Sequence, residues 1–180
     1  GQTTAGLMCQ MLSDNSKILP LAGHLNNTAH NNRLNGFLDT LNQQNTYNLR
    51  IMPFQPCFDR NDYAHEITQH ALRENPDLVG IYVASNGQEG VCQAVEEEGR
   101  KGKVKIIAFD LNEPNMRLLQ SDSLNIVLDQ HAFQQGYQPP FLLYEYLMHH
   151  KMPDNALLYT DISIRTKYNS DLVVFTDHFK

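Results

Sequence analysis

From Asn75 to Asp110 the chain reads NPDLVGIYVASNGQEGVCQAVEEEGRKGKVKIIAFD. Asn75-Pro76 closes whatever helix precedes it, because the residue before a proline is driven out of the helical region. The apolar run Leu78 to Ala84 then reads as a buried strand, Gln88 to Glu98 carries its apolar residues at helical spacing, and Val104 to Phe109 is a second strand. Strand, crossover helix and strand within roughly 30 residues is the βαβ unit of a parallel sheet. Both strands end on a polar residue, Asn86 after GIYVAS and Asp110 after VKIIAF. The carboxyl ends of neighbouring parallel strands open onto one crevice, so side chains placed there converge on whatever enters it.

The same rhythm extends in both directions. Downstream, Pro114 to Gln120 is a short helix, Leu124 to Leu128 a strand ending at Asp129-Gln130, and Phe133 to His149 a long helix. Leu157 to Ile164 reads as a further strand, and the terminal LVVFTDHFK as one more. Upstream, Thr3 to Leu12 has helical spacing, and Lys17 to Ala22 (KILPLA) is a short buried strand with Pro20 an awkward member, closed by Gly23-His24. Ala29 to Asn42 is a helix for which Thr28 is a plausible cap. Leu49 to Phe54 is a strand, and a helix opening at Asp59 or Arg60 runs to Glu74. Strands alternating with helices predict an α/β fold: a three-layer α/β/α sandwich around a mostly parallel sheet.

A chain of 180 residues supports one sizeable core. Fourteen basic against twenty acidic residues give a net charge of −6, the wrong sign for a nucleic-acid surface or an anionic membrane. No run of 18 apolar residues is present, so no membrane partner is expected. Cys9, Cys57 and Cys92 are odd in number, widely spaced and set among apolar residues, which predicts buried free thiols in a reducing compartment.

The chemistry narrows by elimination. His149-His150 are adjacent and face different directions on a helix, and His65, Glu66 and His70 miss the H-E-x-x-H spacing, so no metal is assigned. Ser85-Asn86-Gly87-Gln88 lacks both a phosphate-loop lysine and a dinucleotide fingerprint, and no G-x-S-x-G elbow occurs, so no cofactor is assigned either. No nucleophile with a base and an orienting third group can be assembled. Enzyme chemistry on this framework would have to use Asp110 or a histidine as a base. What remains is hydrogen-bonding capacity for a polyhydroxylated ligand: amides that donate and accept, and a carboxylate that accepts two hydroxyls. Asn86, Asp110 and Gln130 supply that mixture, and Arg33 adds a fork of donors that can meet a sugar hydroxyl or the Asp110 carboxylate. The structural alternative gives Asn86 and Asp110 to helix caps and Gln130 to the start of the last helix. Phe54 and His24 are candidate further contacts, and Tyr82, inside a strand, reads as core.

HNNRLNGFLDTL (His30 to Leu41), the quoted Asn75 to Asp110 segment and LNIVLDQHAFQQGYQPPFLLYEYL (Leu124 to Leu147) resemble the sugar-binding fold shared by lac-repressor-type regulators and ribose-binding-type periplasmic proteins. The resemblance covers nearly the whole chain. Arg33 ahead of Gly36-Phe37, Asn86, Asp110 and Gln130 are similar to that fold's ligand-binding positions, while Asn86-Gly87 departs from its common Asn-Asp pair and leaves the sugar open. DISIRTKYNS (Asp161 to Ser170) looks more like the regulators than the secreted proteins, which implies a cytoplasmic location and fits the unpaired cysteines.

The resemblance implies a periplasmic-binding-protein-like type I lobe, specifically the carboxyl-terminal one, over residues 1–129, then a crossover helix at 130–152 and a return strand and tail at 153–180. The first lobe and a DNA-binding headpiece would precede Gly1. Phe133, Phe141, Leu142, Tyr144 and Leu147 would then pack on that lobe or, without it, on a second copy, making a homodimer the expected partner. The implied function is sensing of a sugar-like effector in a transcription regulator. A secreted or membrane-sensor sugar receptor is the alternative.

Overall fold

The computed structural model describes residues 1–24, 26–44 and 48–171, so the strand expected in 172–180 lies outside the described residues. Seven strands appear among them: β1 Lys17–Ala22, β2 Arg50–Ile51, β3 Gln55–Pro56, β4 Leu78–Val83, β5 Lys105–Phe109, β6 Ile126–Asp129 and β7 Ser163–Arg165. Six helices accompany them: α1 Gln2–Met11, α2 Thr28–Gln44, α3 Asn61–Glu74, α4 Gln88–Glu97, α5 Glu113–Gln120 and α6 Ala132–His149. The sheet order is β2-β1-β4-β5-β6-β7, with β3 also on β1, and every pairing is parallel except that of β7 with β6.

Strand alternation divides the core in two. Leu19, Leu21, Ile81, Val83, Ile106, Ala108 and Val127 face α3, α4 and α5, whereas Ile18, Ala22, Tyr82, Ala84, Ile107, Phe109 and Leu128 face α1 and α2. Each large side chain so covered contributes roughly 1.5–3 kcal/mol. The expected three-layer α/β/α sandwich is therefore present. From β1 the chain passes through α2 to β2 on one side, and from β3 through α3 to β4 on the other. The boundary between β1 and β4 is thus a topological switch point, where loops splay apart beyond the carboxyl ends of the strands.

Local departures from the expected elements have local causes. The expected strand from Leu49 to Phe54 is broken into β2 and β3, because Pro53 and Pro56 offer no N–H to the ladder. Ser16, Ile18 and Ala22 turn their carbonyls to this broken edge and Leu21 turns its own to β4, so Pro20 directs its missing donor at the gap between β2 and β3. That gap accommodates a proline inside a sheet. Asn27, not Thr28, caps α2, accepting the amides of Ala29 and His30 at 2.9 and 3.4 Å. The strand expected over Leu157 to Ile164 shrinks to β7, since β6 offers only Val127 to Asp129 as partners. Cys57 and Cys92 are buried, but Cys9 is only partly covered, on the rim of the α1–α2 layer. His65 meets Glu97 at 2.7 Å, and among the described residues no group of three metal-ligating side chains forms.

Two outcomes test this packing. A Cβ at Gly90 would lie 1.9 Å from the Asn61 carbonyl oxygen, so Gly90→Ala must push α3 and α4 apart and should cost roughly 1–3 kcal/mol in urea unfolding. Burial pushes the Cys92 thiol up to about 12 from 9.0. An acid whose folded value is raised stabilises fully below its unfolded value, so this contribution should fade as pH climbs from 9 toward 12. A thiol reagent should label Cys9 first and reach Cys57 and Cys92 only on unfolding.

Candidate functional site

The carboxyl ends of β1, β4, β5 and β6 form one crevice. Arg33 lies in the early turns of α2, where its Nη1 donates to the Ala84 carbonyl at 3.1 Å, its Nη2 lies 3.7 Å from Asp110 Oδ2 and its plane covers the Phe109 ring at 4.2 Å. The helix is set by Tyr82, stacked on Phe37 at 4.2 Å, whose hydroxyl donates to the Arg33 carbonyl at 3.1 Å. Burial raises the Tyr82 hydroxyl well above its ordinary value, so it stays a donor. Tyr82 is core, as its place in the strand predicts.

Asp110 follows β5 in the left-handed region, φ 68°, with its amide on Leu128 O at 2.9 Å and its carbonyl held by the Asn115 side chain at 2.8 Å. Its Oδ1 accepts Gln130 Nε2 at 2.5 Å. Arg33, Asp110 and Gln130 thus form one connected group. Gln130 in turn gives its carbonyl to Gln135 and to Thr160 at 2.7 and 3.2 Å, which ties the crevice to the two segments that leave the sheet there. Neither Asp110 nor Asn86 caps a helix: Asn112 caps α5 through the Asn115 amide, and α4 begins at Gly87 with no side-chain cap.

Asn86 is held by its backbone alone. Its N–H donates to Asp59 Oδ1 at 3.1 Å, and its carbonyl accepts from Ser85 Oγ at 3.1 Å and Cys57 Sγ at 3.3 Å. Burial pushes the Cys57 thiol up, which keeps it protonated as the donor. The exposed Asn86 amide is left pointing to solvent with both donor and acceptor available.

Asp59, His30 and Phe58 escaped sequence reasoning. Phe58 and Asp59 sit between β3 and α3 with φ of 55° and 60°, a conformation costly for a bulky residue. Gly23 makes room for Asp59, since a Cβ there would lie 2.5 Å from its carboxylate. His30, one turn before Arg33 on α2, places a buried Nδ1 4.0 Å from Asp59 Oδ2 with no hydrogen-bond partner. The exposed Phe58 ring meets His24 edge-on at 5.3 Å and Tyr63 at 5.8 Å. His24 thus lies beside Phe58 at the rim of the crevice. Phe54 does not: it packs against the α1–α2 core, because the strand that would have ended there breaks at Pro53.

No curated protein matches this chain. Among solved structures, it is similar to an arabinose-binding protein from Geobacillus stearothermophilus, with 25% identity, a TM-score of 0.81, and coverage of 94% of this chain and 60% of that one. A sugar-binding protein of a sugar ABC transporter from Bacillus halodurans gives 23% identity, a TM-score of 0.85, and coverage of 94% and 62%. An ABC transporter periplasmic solute-binding protein from Actinobacillus succinogenes with bound D-allose gives 20%, 0.84, and coverage of 94% and 59%. The chain spans about three fifths of the length of these neighbours. Residues 1–151, most of the 180, also match a family described as periplasmic binding protein domain. On that match and the α/β/α architecture, this chain belongs to the periplasmic binding protein domain family.

Proposed function

We propose that this chain forms one wall of a binding site for a sugar or sugar-like small molecule, in the effector domain of a lac-repressor-type transcription regulator. One observation carries the site: Arg33, Asp110 and Gln130 join into a single polar group beside the free amide of Asn86, all at the carboxyl ends of a parallel sheet. Such a wall discriminates by geometry. A ligand hydroxyl donates to Asp110 while Arg33, already neutralised by that carboxylate, fixes its direction, and Asn86 and Gln130 accept or donate as each hydroxyl requires. The exposed Phe58 offers a flat apolar face for a sugar ring.

A second lobe supplies the opposite wall in this reading, and α6 is the element that meets it. No residue of α6 is buried, and Phe133, Tyr137 and Phe141 stack along one side of it at 5.9 and 6.3 Å. Ligand trapped between the lobes shifts their closure, and closure governs DNA binding, in proportion to the difference in affinity between the two states. The free state of all three cysteines and the Asp161 to Ser170 ending support a cytoplasmic regulator. A sugar receptor feeding a transporter is the second reading. It is favoured by the similar structures, among which are sugar-binding proteins of ABC transporters.

Calorimetry on the full-length protein tests the site. Asp110→Ala should lose roughly 1–3 kcal/mol of sugar affinity, a factor of about 5 to 150. Unchanged affinity removes the assignment. Retardation of the protein's own promoter DNA, altered by the sugar that binds, supports the regulator; a cleaved signal peptide on the natural protein selects the receptor instead.

A further inference from the structure

The crevice carries two arms of the same construction. Helix α2 presents His30 to Asp59 and, one turn later, Arg33 to Asp110, so that each carboxylate is backed by a basic side chain from the same helix. The exposures are unequal in a consistent sense. The carboxylate side chains remain 28% exposed at Asp59 and 48% at Asp110, while the bases behind them fall to 13% and 15%. A ligand entering the crevice meets acceptors first.

From this we infer that the site, read as a sugar site above, selects uncharged or amino-substituted sugars and rejects phosphorylated and acidic ones. Asp59 is the specificity-determining residue. An anion would need a free cation, and the two arginines at the crevice are both engaged. Arg33 is committed to Ala84 O, to Asp110 and to the Phe109 face. Arg60, next along the rim, is held by Asp62 and the Tyr63 ring. The N-termini of α4 and α5 would attract a phosphate, and both are compensated. Asp59 takes the Asn86 amide just ahead of α4, Glu89 lies in the first turn of α4, and Asn112 and Glu113 occupy the start of α5. The gap between His30 Nδ1 and Asp59 Oδ2, bounded by a buried nitrogen without a partner, is a further place for a hydroxyl or ammonium group rather than an anion.

The test is calorimetry on the full-length protein with matched sets: neutral pentoses and hexoses, their terminal phosphate esters, their uronic acids and their amino sugars. Each neutral sugar that binds should bind at least about tenfold more tightly than its phosphate or uronate, with the amino sugar comparable or tighter. Asp59→Asn keeps an acceptor for the Asn86 amide but removes the charge, and should shrink that ratio at least about threefold with an unchanged thermal midpoint. A phosphate ester or uronate that binds as tightly as its neutral parent overturns the charge assignment while leaving the sugar site standing. Silence across the whole panel overturns both. An undiminished ratio in Asp59→Asn removes Asp59 from the role.

Discussion

The parallel pairing of β1 with β4 is the constraint on which the rest depends. It joins residues about 60 positions apart, Ile18 with Gly80 and Leu21 with Val83, and forces the connections on either side of it to leave in opposite directions. Helix α2 therefore lies on one face and α3 on the other, and the loops that precede them open beyond the strand ends. His30 and Arg33 reach the crevice from the first face, Asp59 from the second, and Asn86 rises between them. The cleft is a consequence of connectivity before it is a consequence of any side chain.

Within that frame the buried polar residues act as ties. Gln88 Nε2 donates to Ser85 O and Phe109 O, linking the ends of β4 and β5, and Asn115 holds Phe109 O and Asp110 O. Leaving any of these carbonyls unpaired would cost roughly 1–3 kcal/mol, so the ties fix the wall as firmly as the apolar packing beneath it. Arg165 performs the comparable task at the sheet edge. Largely buried, it lies 3.6 Å from Asp129 and donates to Asn169 O at 3.2 Å, which helps to secure a strand of three residues.

The strand and helix rhythm was legible because apolar residues alternate in the strands and recur at helical spacing between them. Asp110 was legible for the same reason, as the first polar residue after an apolar run, and Gln130 as the neighbour of Asp129, which closes the next run. Asp59 and Phe58 were not, because they follow a strand of two residues and adopt left-handed backbone that no periodicity reports. An unbroken strand through Phe54 set that ring at a strand end, whereas the chain breaks at Pro53 and Phe54 packs on the core; Pro53 was the available signal. His30 lay unnoticed beside Arg33, since a helix face acquires meaning only when its opposite loop is known.

Four residues around the crevice, Phe58, Asp59, Asp110 and His131, hold φ between 55° and 68° without being glycine. Each conformation costs on the order of 1 kcal/mol relative to glycine, most for the bulky Phe58. Selection for thermal robustness alone would thus drift toward glycine at these positions, erasing an aromatic face and two carboxylates while strengthening the backbone. A lineage that has lost its ligand should carry that signature before its core changes at all.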